Sequence, residues 1–73
     1  MAFKEAPQYR KLYEKLRKLI EDGSYQRGDL LPSENELCAA HHLTRPTVRN
    51  ALDMLVNDGF IIRHQGKGSI VQG

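Results

Sequence analysis

With a single cysteine, Cys38, the chain can form no intramolecular disulfide and no four-cysteine metal cluster. Its core has to stand on packing alone. Long apolar runs are missing as well, and Met1 to Glu14 alternates charged and apolar residues, a pattern of neither a signal peptide nor a bilayer segment. The expectation is a cytoplasmic protein with no membrane attachment. Repeats, linkers and low-complexity tracts are absent, so residues 1–73 are read as one small domain with a thin core. Such a chain is too short to enclose a sizeable substrate pocket.

Excess charge is lacking too. A net charge of +2 does not by itself mark a nucleic-acid binder, and placement carries more information than the sum. From Arg45 onward the basic residues are Arg45, Arg49, Arg63 and Lys67 against Asp53 and Asp58, while the middle of the chain holds Asp29, Glu34 and Glu36. This permits a basic face on a nearly neutral body.

Catalytic and metal-binding patterns are equally scarce. Ser33, Ser69 and the histidines show no nucleophile–base spacing. Gly66-Lys67-Gly68-Ser69 lacks the upstream glycine and the following helix of a phosphate loop. Cys38, His41, His42 and His64 match no zinc-finger spacing, and adjacent residues such as His41 and His42 point about 100° apart on a helix. No enzyme activity, metal or cofactor is expected.

What is present is a succession of capped helices. Tyr9, Leu12, Tyr13, Leu16, Leu19 and Ile20 recur at intervals of three and four, which predicts an amphipathic helix over about 9–22, starting near Pro7 and stopping before Gly23. Arg27-Gly28-Asp29 reads as a turn and Leu30-Leu31-Pro32 as a short extended piece. Ser33 with Glu36 has capping-box spacing and opens a second helix over 34–41, with Leu37 and Ala40 facing inward and Ala40 allowing close approach of another helix. After His42-Leu43, Thr44 is placed to cap a third helix over 45–57, where Pro46 costs no hydrogen bond in the first turn. Val48, Ala51, Leu52 and Leu55 fall on one side of it; Pro46, Arg49, Asn50 and Asp53 fall on the other. Phe60-Ile61-Ile62 through His64, the turn Gln65-Gly66-Lys67-Gly68 and Ser69-Ile70-Val71 form a hairpin over about 60–72. The fold expected is mainly α with a small β hairpin: a winged helix-turn-helix of three helices and a two-stranded wing, with a short third strand near Leu30.

Two short helices joined by a three- or four-residue turn suit DNA reading: the first, here 34–41, braces, and the second, here 45–57, enters the major groove by its amino end. Arg45 and Arg49 lie about one turn apart there, and each guanidinium can make bidentate contacts to guanine or clamp a phosphate. Thr44 and Thr47 can donate to phosphates, the Pro46 ring can lie against a thymine methyl, and Asn50 can reach adenine or phosphate. Asp53 and Asp58 would repel phosphates, so contact should fade after the second turn. In the wing, Lys67 sits between Gly66 and Gly68, with His64 and Gln65 near phosphate or the minor-groove edge. The competing reading is a winged-helix protein-interaction module, which needs an exposed apolar patch on the third helix. Arg49, Asn50 and Asp53 do not supply one.

Three segments in order, Leu31-Pro32-Ser33-Glu34, Thr44 to Leu52, and Gly59-Phe60-Ile61 with Gln65 to Val71, together resemble the N-terminal DNA-binding domain of the GntR family of bacterial transcription regulators. The resemblance covers Tyr9 to Val71. It implies operator contacts by Arg45 and Arg49, helped by Thr44 and Thr47 and by the wing residues His64, Gln65, Gly66 and Lys67. Members commonly carry an arginine after Pro-Ser-Glu that also touches DNA; this chain has Asn35, which implies a weaker contact or an altered specificity. The resemblance further implies a homodimer on an inverted-repeat operator, a repressor rather than an activator, and a larger C-terminal domain, absent from this chain, that binds a small-molecule effector. The wing is most similar to the branch related to histidine-utilisation repressors, whose effector domain has a chorismate-lyase-like fold. On this reading the 73 residues are a fragment of a longer protein.

Overall fold

A computed structural model describes residues 8–72. The elements are α1 (Gln8–Glu21), α2 (Glu34–His41), α3 (Arg45–Asn57), β1 (Ile61–His64) and β2 (Gly68–Val71). This is the winged helix-turn-helix order expected from the sequence, with bounds within one residue for the helices. The start of the first helix near Pro7 lies outside the described residues. No helix among the described residues is long and apolar enough to cross a membrane.

The core follows from the apolar periodicity of α1 and α3. Leu12, Tyr13, Leu16 and Ile20 of α1 meet Val48, Ala51, Leu52 and Leu55 of α3, and Leu31, Leu37, Ile61 and Val71 close the ends. Ala51 is completely buried, so the small side chain that lets two helices approach closely is on α3. Ala40, expected to play that part, is exposed. In a helix of only eight residues the inward stripe is set by where Leu37 anchors. It continues through half-buried Cys38 and His41 and leaves Ala40 outside.

The two helix starts are built differently. At α2 both halves of the capping box are present: the Glu36 amide donates to Ser33 Oγ at 3.1 Å, and the Ser33 amide donates to Glu36 Oε1 at 2.8 Å. At α3, Thr44 occupies the cap position with extended backbone but makes no side-chain cap bond. Its hydroxyl is 2.9 Å from that of Thr47. Pro46 removes one of the two amides a capping hydroxyl could accept from, and the hydroxyl turns to the Thr47 side chain and not to the Thr47 amide that remains. Between these helices His42 takes the left-handed conformation, φ 55° and ψ 46°. It ends α2 and redirects the chain within three residues, and half-buried Leu43 pins the turn to the core.

The hairpin is antiparallel, with Ile61 opposite Val71, Ile62 opposite Ile70, Arg63 opposite Ser69 and His64 opposite Gly68. Phe60 stands outside the strand, yet its carbonyl accepts from the Gln72 amide at 2.8 Å and closes the hairpin's base. The third strand reduces to a single bridge, Leu30 to Ile70. Flanking bonds from Gly28 to the Val71 carbonyl, from Val71 to the Asp29 carbonyl and from Leu31 to the Ser69 carbonyl, all 2.8–2.9 Å, fasten the segment before α2 to β2.

Candidate nucleic-acid interface

Because α3 spends Val48, Ala51, Leu52 and Leu55 on the core, its opposite side is committed to solvent. Arg45, Pro46, Arg49, Asn50 and Asp53 are exposed there, and Thr47 is half-buried. The amino end of α3 therefore presents two arginines together with the unpaired amides that give a helix start its partial positive charge.

The wing turns at Gln65 to Lys67, where the Lys67 amide donates to the His64 carbonyl at 3.0 Å. Gly66 and Gly68 have φ of 85° and 108°, conformations that L side chains rarely adopt, so the tip is free of β-carbons on both sides of Lys67. A cleft of about 540 Å³ separates this hairpin from the start of α3. Asn35 and Arg45 line one wall; His64, Gln65 and Gly66 line the other. Lys67 instead borders a second cleft, of about 730 Å³, beside Ser33, Glu36 and His41. The structure thus gathers five of the residues singled out from the sequence around one groove. Thr44, Pro46, Thr47, Arg49 and Asn50 stay on α3 and its cap outside that lining, and Lys67 lies on the far side of the wing.

The arginines are held by α2. Arg45 Nη2 donates to Asn35 Oδ1 at 2.5 Å. Arg49 donates through Nε and Nη2 to the two oxygens of Glu34, at 3.4 and 3.3 Å. The same carboxylate accepts from Arg63 Nη2 at 2.5 Å, and Arg63 Nη1 reaches Asp53 Oδ1 at 2.9 Å. Glu34, which the sequence shows only as one of the acidic residues of the middle segment and the end of Leu31-Pro32-Ser33-Glu34, thus joins α2, α3 and β1. Asp53 pairs with Arg63 and also acts electrostatically on Arg49, one turn before it on α3. Asp58 is engaged as well, accepting the Tyr13 hydroxyl across the α1–α3 seam. Sequence reasoning missed Glu34 and Arg63 because their separations from their partners, 15 and 29 positions, follow no helical or strand period.

The Arg49 guanidinium beside Glu34 holds its carboxyl below the usual carboxylate range; partial burial opposes this, and Arg63 reinforces it. A carboxyl whose folded pKa is depressed adds stability that is present above its unfolded pKa, about 4.3, and is lost as pH falls through the lower folded value. Melting temperature followed downwards through that acid window is therefore expected to drop more steeply for the native chain than for Glu34→Gln, which has no proton to take up. Parallel acid limbs would show that the pairing contributes nothing to stability.

A family model described as bacterial regulatory proteins, gntR family, matches residues 8–71. The chain is 51% identical over 53 residues, 73% of this chain and 22% of the relative, to a probable fructoselysine utilization operon transcriptional repressor of Escherichia coli (strain K12). It is 36% identical over 66 residues, 90% of this chain and 27% of the relative, to the histidine utilization repressor of Klebsiella aerogenes. The chain spans about a quarter of the length of these curated relatives. Among solved structures it superposes on AraR(DBD) in complex with operator ORR3 with a TM-score of 0.91 and 31% identity, covering 97% of this chain and 84% of that one.

Proposed function

We propose, from the premise that this chain belongs to the GntR family of bacterial regulatory proteins and is a DNA-binding domain of that family, that it recognises one operator sequence on behalf of a ligand-responsive repressor. It is a regulatory module, not an enzyme. The observation that carries the proposal is the groove between the amino end of α3 and the glycine-tipped wing, with Arg45 on one wall and Gln65 on the other. A helix start flanked by a hairpin fits a duplex with the helix in the major groove and the hairpin alongside.

The roles follow from reach and chemistry. Arg45 and Arg49 read bases or grip phosphates, Thr44, Thr47 and Asn50 position the backbone, and Pro46 packs on a thymine methyl. His64, Gln65, Gly66 and Lys67 contact the flanking strand. For the parent protein the same reading implies a cytoplasmic homodimer on an inverted repeat, with a small-molecule effector bound by a separate domain. The relatives named as repressors support the repressor role alone. The similarity to the histidine utilization repressor supports a place in that branch. An interaction module gains no support from the outer face of α3, where Arg49, Asn50 and Asp53 are exposed.

Selection of the chain against a randomised duplex library at two salt concentrations tests the proposal, using a tethered dimer alongside the single chain so that weak half-site binding is amplified. Enrichment of a defined half-site is the expected result; recovery of unselected sequences with no salt dependence sinks it. Lys67→Ala is expected to reduce the salt slope by about one without changing which sequence is enriched, as loss of a single phosphate-contacting cation does. An unchanged slope would place Lys67 off the DNA.

A further inference from the structure

We propose that Asn35 is a positioning residue that fixes the base preference of Arg45, an inference that rests on the operator-binding reading above. Asn35 lies in the first turn of α2. Here its carbonyl oxygen accepts from Arg45 Nη2 at 2.5 Å, across the gap between the first turns of α2 and α3. Both side chains are exposed and line the same groove opposite the wing.

A guanidinium has five N–H donors in one plane. Engaging one Nη2 hydrogen restricts the rotation of that plane and leaves the remaining donors, including the pair on Nη1, for a bidentate contact. A long side chain that is already restrained loses less rotamer freedom on binding than a free one. The acceptor also sits on a rigid base, since Ser33 and Glu36 on either side of the Glu34–Asn35 step form the reciprocal capping box. An arginine at position 35 could not do this, because it offers no acceptor and would repel Arg45. Position 35 thus acts through the arginine it holds.

The test compares the base preferences of the native chain, Asn35→Ala, Asn35→Asp, Arg45→Ala and the double variant Asn35→Ala/Arg45→Ala, by selection from the randomised duplex library and titration of the enriched duplex. Asn35→Ala is expected to relax preference at the base pair that Arg45→Ala relaxes and to weaken binding about two- to tenfold. The double variant should be no weaker than Arg45→Ala alone, the non-additivity expected of residues acting through one contact. Asn35→Asp keeps an oxygen acceptor and should keep the preference, at lower affinity because of its charge. Equal melting temperatures verify that each variant is folded. Relaxation at a different base pair, or additive losses, would make Asn35 a reader of DNA in its own right and overturn the proposal. An unaltered Asn35→Ala profile, or a lost preference in Asn35→Asp, would overturn it too. If the native chain enriches no sequence, the operator-binding reading fails first and takes this inference with it; if it enriches one and the variants behave otherwise, only the positioning role fails.

Discussion

Arg45→Ala is expected to weaken binding to the preferred duplex by about ten- to a hundredfold, the equivalent of one bidentate base contact at roughly 1–3 kcal/mol. The loss should concentrate at a single base pair. Titrations at fixed salt against the preferred duplex and against each single-base substitution of it measure this directly. A loss spread evenly over all sequences, accompanied by a shallower salt dependence, would instead assign Arg45 to a phosphate. The side chain is exposed and makes no contribution to the core, so binding should change while melting stays the same. That separation makes the experiment interpretable.

Leu55→Ala should produce the opposite pattern. Leu55 is completely buried in the seam between α1 and α3, and truncating a buried leucine costs about 2–5 kcal/mol once the residual cavity is included. A domain of this size has little to spare, because a core this small supplies only a few kcal/mol of net stability. Urea or thermal unfolding is expected to show the midpoint falling sharply or the cooperative transition vanishing. Leu30→Ala provides the contrast: Leu30 is 56% exposed, and truncation there should stay within about 0.5 kcal/mol. Equal losses at the two positions would mean that the packing described for α3 is wrong.

The parts legible in the sequence were those governed by local rules. The spacing of Leu12, Leu16 and Ile20, the Ser33–Glu36 box and the glycines around Lys67 each encode their structure within a few residues. The helices and hairpin emerged accordingly. Ala40 was misplaced because an eight-residue helix carries too few turns for its apolar stripe to be unambiguous. Thr44 occupies its cap position, but its hydroxyl faces that of Thr47 and not a backbone amide, a choice between two local partners that the sequence does not decide. In the interface, the identity of the exposed side chains could be anticipated, but their partners could not. Which carboxylate neutralises Arg49, and what accepts from Arg45, depend on how α2 packs against α3, an arrangement in which Leu37 is buried in the core and Leu43 packs against it, and which no local spacing encodes.

The backbone bonds that fasten residues 28–31 to β2 have a mechanical consequence. They make β2 the middle of a three-segment ribbon, hydrogen-bonded to β1 on one edge and to the chain leading into Ser33 on the other. An isolated two-stranded hairpin is marginally stable in water, whereas this one cannot swing without dragging the first turn of α2. Displacement of the hairpin is therefore resisted close to its tip by the Leu31 bond to the Ser69 carbonyl and farther down by the bonds of Val71 to residues 28 and 29, so the wing is braced along its length by the chain that leads into α2.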